Sequence, residues 1–142
     1  MDVGWVEWVW LPEFSEEPIK AKVDTGAKNS ALHAENIRVK KLKSGRRQVS
    51  FTIFTSKHKK KGIRVTTTLH GSRVVKSSIG EATIRPVIWT TLKMGDREEK
   101  VEVTLVNRQP MEYLMLIGRG SLSDCAVIPD EKFLLGKKKH KI

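Results

Sequence analysis

The run KAKVDTGAKNSALHA (residues 20–34) places an acid, Asp24, where an alternating apolar stretch gives way to small polar residues. A lone carboxylate is a weak tool for hydrolysis. Two in contact are a strong one, because they cannot easily both ionise and so share a proton. One then takes a proton from water while the other donates a hydrogen bond to a carbonyl. Thr25 and Gly26 follow Asp24, and the glycine lets the chain turn sharply at little steric cost. The other aspartates are Asp2, Asp96, Asp124 and Asp130, and none is followed by Ser-Gly or Thr-Gly. Read alone, Asp24 has a plainer alternative: a turn residue with no chemistry.

The remaining chemistry-bearing residues point to less. His33, His58, His70 and His140 show no HExxH spacing, and His58 and His140 sit within lysine runs that repel a dication. No zinc site and no cofactor is expected, and His33 reads as a hydrogen-bonded strand histidine. The one cysteine, Cys125, excludes an intrachain disulfide and reads as a small buried hydrophobe. Trp5, Trp8, Trp10 and Trp89 read as core or interface aromatics.

The elements that must position Asp24 are strands. VGWVEWVWL (3–11) is apolar on both faces, and IKAKVD (19–24) alternates with the period of a half-buried strand. PEFSEEP (12–18) separates them as a turn. Residues 30–42 could begin with a helical turn but lean to strand. Residues 46–56 form a strand with Val49, Phe51 and Ile53 on one face, and 62–75 is rich in β-branched residues. Residues 81–107 form two strands around the turn Met94-Gly95-Asp96-Arg97, with Pro86 marking an edge or bend. An apolar run ends at Gly118 before a short helix, and FLLG (133–136) is the expected last strand. About eight strands and one short helix near the C-terminus predict an all-β closed barrel. It would be a single domain over 1–136 with a basic, disordered tail at 137–142.

The 142-residue length suits one domain with its own core. No apolar run approaches the roughly 20 residues of a membrane helix. The N-terminus lacks the basic start and apolar stretch of a signal peptide, so the expected location is cytoplasmic and no membrane contact is expected. Net charge is +11, concentrated in residues 40–47, 57–64 and 137–141. Such runs attract polyanions or simply serve solubility. Nucleic acid is not the expected partner, because no recognition motif accompanies the charge and aromatics do not interleave with the first and last runs.

IKAKVDTGA, SSIGEA and MLIGRGSL resemble, in order and spacing, three landmarks of a retropepsin, the retroviral type of aspartic peptidase. More closely, WVEWVWLPEF, AKVDTGAKNSALHA, RVVKSSIGEATIRPVI and MEYLMLIGRGSL are similar to a RimB-like bacterial family labelled "ATP-dependent zinc protease". That family is associated with a glutamate ligase (RimK) that modifies a ribosomal protein. The resemblance implies a retropepsin-like fold with Asp24 catalytic and with Thr25, Gly26 and Ala27 completing its loop. Ser78, Ile79 and Gly80 would form a flap tip. Ile117 and Gly118 would pack beneath the loop, and Arg119 would begin a buttressing helix. With one such aspartate per chain, a homodimer would supply the second Asp24 across a twofold axis. It would cut a peptide or protein. Where retroviral enzymes carry an acid that pairs with the arginine, this chain has Lys28, which would set like charges against each other. The alternative is a non-catalytic binding or regulatory module of the same fold, working with the ligase or its ribosomal-protein substrate.

Overall fold

The computed structural model describes residues 1–56, 62–76, 79–107 and 112–136. Its elements are β1 (Asp2–Val9), β2 (Ile19–Val23), β3 (Ser30–His33), β4 (Glu35–Lys41), β5 (Arg47–Ile53), β6 (Ile63–Thr68), β7 (Gly71–Lys76), β8 (Ala82–Met94), β9 (Arg97–Val106), β10 (Met115–Ile117) and β11 (Ala126–Lys132). One 3-10 turn, Arg119–Ser121, takes the place of the expected helix. Among the described residues there is no α-helix, and no helix is long and apolar enough to cross a membrane.

Eight strands form one sheet in the order β11-β1-β2-β10-β3-β9-β8-β7, and β4-β5-β6 form a second. Beyond β1, Trp10 exchanges two backbone hydrogen bonds of 2.9 Å with Lys93 on β8. That bridge brings the large sheet round on itself, as the expected barrel requires. Both sheets bury their apolar faces in a single core that includes Ile19, Leu32, Phe51, Ile88, Val103 and Ile117.

Local sequence explains much of this. In β2 the burial alternates residue by residue, with Ile19, Ala21 and Val23 inward and Lys20 and Lys22 outward. β5 turns Val49, Phe51 and Ile53 to the core. The β8–β9 hairpin turns at Gly95-Asp96; Gly95 has φ +63° while Asp96 does not have a positive φ. A glycine at the first central position of a two-residue loop matches the twist of the flanking strands. Pro86 falls where β8 pairs only with β7, so its missing N–H breaks no ladder.

Four sequence expectations need correction. Residues 30–33 form a strand, not a helical turn, because all four side chains are buried between β10 and β9. The count among the described residues is eleven strands, since 30–42 and 62–75 each break into two and the apolar run before Gly118 adds Met115–Ile117. The last strand is 126–132, not 133–136. Phe133 has φ +56°, and the N–H groups of Leu134 and Leu135 go instead to the buried carboxylate of Glu7, at 3.0 and 3.1 Å. Cys125 is half-buried, and its Sγ accepts from Arg97 Nη1 at 3.1 Å.

Candidate active site

β2 ends at Val23, and the ladder to β10 continues for one more bond, Asp24 N–H to Ile117 O at 2.8 Å. The chain then turns. Asp24 Oδ1 accepts the Gly26 N–H at 3.0 Å, and Ala27 N–H donates to Asp24 O at 3.2 Å. A side chain turned onto its own backbone two residues on is a local turn device that fixes the carboxylate's orientation. A Cβ on Gly26 would stand 3.2 Å from that same oxygen. Asp24 is half-buried, while Thr25 and Gly26 are exposed. The carboxylate therefore sits on a fixed mount with an open front.

The second landmark packs directly beneath this turn. Gly118 lies so close to the backbone of Asn29 that an added Cβ would come within 2.5 Å of its carbonyl. Arg119 N–H donates to Ala27 O at 2.8 Å and Gly120 N–H to Lys28 O at 2.9 Å. Arg119 Nη1 donates to Thr25 O at 2.9 Å. A backbone carbonyl thus accepts from the guanidinium, where the retroviral pattern has an acid at position 28.

Three residues of this clamp are not apparent from the sequence. Ser30 Oγ accepts the Gly118 N–H at 3.1 Å and pairs with Ser121 Oγ at 3.0 Å, with both serines buried. Thr104 Oγ1 donates to Ser30 O at 3.1 Å. The signal available was Ser121 in the run Gly118–Ser121, one small hydroxyl after two glycines, and nothing in the spacing ties it to Ser30.

Of the flap residues, Ser78 lies outside the described residues. Ile79 and Gly80 sit at the outer end of the β7–β8 hairpin, where Ile79 is 78% exposed and Gly80 has φ +85°. No hydrogen bond links either to residues 24–27. The structure brings together Asp24, Thr25, Gly26 and Ala27 with Ile117, Gly118 and Arg119.

A polar cavity of about 370 Å³ opens beside the loop, walled by Lys28, Asn29, Arg73, Trp89, Lys100 and Gly120. Arg73 is paired with Glu102 at 2.8 Å, and Lys100 with Glu13 at 2.8 Å. Trp89 is 44% exposed on this wall, so it is not a core residue. Trp10 is buried, and Trp5 and Trp8 are half-buried.

The zinc in the family label finds no matching donor set. His33 is buried with Nε2 2.9 Å from Glu35 Oε2, and His70 lies edge-on to Trp89 at 5.3 Å. Among the described residues no three His, Cys, Asp or Glu side chains gather as ligands. His58 and His140 lie outside the described residues.

The sequence matches the family model described as "RimB-like: Retropepsin-like aspartic endopeptidase RimB" over residues 2–138. It is 39% identical over 138 residues to a "Probable alpha-L-glutamate ligase" of Shewanella pealeana, covering 96% of this chain and 30% of that one. A protein of the same name from Desulfotalea psychrophila is 35% identical over 127 residues, covering 89% and 27%. The chain thus spans about a third or less of the curated relatives it matches. Among solved structures, a Legionella pneumophila protein, Lpg0085, described as of unknown function, superposes with a TM-score of 0.76 at 31% identity, covering 94% of this chain and 97% of that one.

Proposed function

The chain belongs to the RimB-like family of retropepsin-like aspartic endopeptidases, and on that premise we propose that two copies combine into one peptide hydrolase with an Asp24 from each. The observation that carries this reading is the mount of Asp24: a half-buried carboxylate with fixed orientation, in an exposed loop clamped by Gly118 and Arg119.

In the dimer the two carboxyls share a proton and titrate as a pair. The ionised one takes a proton from a water whose oxygen attacks the peptide carbonyl carbon. The protonated one donates to the carbonyl oxygen as charge builds there. Collapse of the tetrahedral intermediate breaks the C–N bond, and a carboxyl proton goes to the leaving amine. The hairpin tip of Ser78, Ile79 and Gly80 closes over the peptide and excludes water. Residues 1–136 act as one domain, in the cytoplasm. The substrate is a peptide or protein.

Asp24→Asn keeps the turn but removes the shared proton. We expect peptide cleavage to fall by at least about 10²–10⁴-fold, with the dimer intact by sedimentation. Cleavage undiminished in that variant would remove the dyad from consideration.

A second reading has one specific observation in its favour: the matched relatives named as glutamate ligases carry a segment like this chain within a protein about three times as long. The module would then act by contact with a ligase or its ribosomal-protein substrate, without turnover. If Asp24→Asn changes glutamate transfer by a co-purified ligase as strongly as the wild type does, this reading replaces the first.

A further inference from the structure

The outer face of the small sheet gathers charge in a way that the sequence alone does not reveal. Register places Arg38 and Lys40 of β4, Gln48, Ser50 and Thr52 of β5, and Arg64, Thr66 and Thr68 of β6 on one side, opposite the buried Val49, Phe51 and Val65. Cations thus occupy the two flanking strands, and short neutral polar side chains fill the middle. With strands about 4.8 Å apart and about 3.3 Å per residue, the face is about 10 Å wide and about 20 Å long.

Its surroundings share its sign. The β4–β5 hairpin adds exposed Lys41, Lys43, Arg46 and Arg47 at one end. The acid in register with this face, Glu35, is turned to His33 Nε2 at 2.9 Å. Arg64 is braced across the sheet, donating through Nη1 to Asn36 O at 2.9 Å and to Thr52 Oγ1 at 3.1 Å. At one end of this face the half-buried Phe54 ring stands beside Thr52 and Gly62, and the other positions named carry no aromatic.

We propose that this face docks double-stranded RNA through its sugar-phosphate backbone, without reading sequence. Charge complementarity supplies the attraction. One half-buried ring at an end of the face gives no row of platforms on which successive bases of an unstacked single strand could stack. A flat surface of short hydroxyls cannot reach into a deep groove. It can meet the wide, shallow minor groove of an A-form helix, where 2′-hydroxyls are displayed, while Arg38, Lys40 and Arg64 reach phosphates on either side. This proposal departs from the sequence expectation that nucleic acid is not the partner, on the ground of shared placement on one face. The inference stands apart from the peptidase reading, since none of these residues belongs to the Asp24 loop.

The experiment is fluorescence anisotropy of a labelled 20-base-pair RNA duplex with the full chain, titrated across salt. The wild type should bind, with affinity falling steeply as salt rises. Arg38→Ala/Lys40→Ala should weaken binding at 0.15 M salt by about tenfold or more and lower the slope of log K against log salt by about two. Lys43→Ala/Arg46→Ala, at the hairpin tip, serves as a second pair should the first unfold by circular dichroism. Lys20→Ala/Lys22→Ala removes equal charge from β2 on the large sheet and should leave binding within about twofold. Equal losses in all pairs would reduce the effect to net charge and overturn the assignment. Tighter binding to single-stranded RNA, to a DNA duplex of the same length or to a poly-glutamate peptide would overturn it in favour of that ligand. So would the absence of any duplex binding at 0.15 M salt.

Discussion

The loop around Asp24 and the outer half of the β7–β8 hairpin carry two of the three family landmarks, and they are built on opposite principles. The loop is held from several directions: by Ile117, by the Gly118–Asn29 contact, by Arg119 and by the Ser30–Ser121 pair. In backbone pairing the described residues of the hairpin arms have only each other, and Arg73 of β7 adds an ion pair to Glu102 of β9 at 2.8 Å. Residues 82–86 of β8 pair with β7 alone, and the facing side chains Val74 and Ile84 are 61% and 75% exposed. They continue the same face of β8 that buries Ile88, Leu92 and Met94. The first region is clamped by contacts within one chain, and the proposed dyad would add a second Asp24 carboxylate. The second presents apolar surface at Val74 and Ile84 that stays exposed among the described residues.

The strongest way to break this contrast is at the tightest contact. Gly118→Ala puts a methyl within 2.5 Å of the Asn29 backbone, where no flexible side chain can yield. Overpacking of this kind costs about 1–3 kcal/mol. We expect a loss of that size in urea unfolding, together with loss of cleavage. An unchanged midpoint would mean that the loop is not clamped as described. Ser30→Ala should follow with about 1–3 kcal/mol, because it strands the buried Gly118 N–H without its acceptor. Ser121→Ala should cost less, since Ser30 Oγ still receives that N–H.

Parts of this contrast could be read from the chain before any coordinates. Asp24, Gly26 and Gly118 stand out because glycine and the alternation of residues 19–23 have local causes. The Gly95 hairpin stands out for the same reason. What escaped has long-range causes. Residues 133–136 look like a strand and residues 126–132 do not. Yet β11 is an edge strand beside β1, where Pro129, Asp130 and Glu131 are tolerated. Glu7 sits among tryptophans, and its burial is explained only by N–H groups from Gly4, Leu134 and Leu135. Ser30 and Ser121 meet across 91 positions of sequence, a contact no periodicity encodes.

The hairpin should respond in the reverse manner to the loop. Val74→Ser/Ile84→Ser removes exposed apolar surface, so stability of the isolated chain should change by no more than about 0.5 kcal/mol. If that surface closes over a peptide, each lost side chain withholds about 1.5–3 kcal/mol of burial. Under the proposed function, peptide cleavage should then fall about tenfold or more in kcat/KM, mostly through KM. A variant that loses stability but cleaves normally would assign Val74 and Ile84 to the fold instead.

The smallest effect concerns what anchors the other half of β8. Glu13 accepts from Lys100 Nζ and from the N–H and hydroxyl of Thr91, all at 2.8 Å. The bonds from Lys100 and Thr91 lower its pKa from 4.5 to about 2. The unfolded chain therefore takes up this proton at a higher pH than the folded one. The stability that Glu13 contributes is fully present above about pH 4.5 and is lost as pH falls towards about 2. Both partners are largely exposed, so the whole contribution is about 1 kcal/mol or less. Comparing wild type with Glu13→Gln in urea at several pH values, the gap should be widest near neutrality and narrow across that window. A constant gap would show that β8 is anchored by its apolar face at Ile88, Leu92 and Met94 alone, with the carboxylate a bystander.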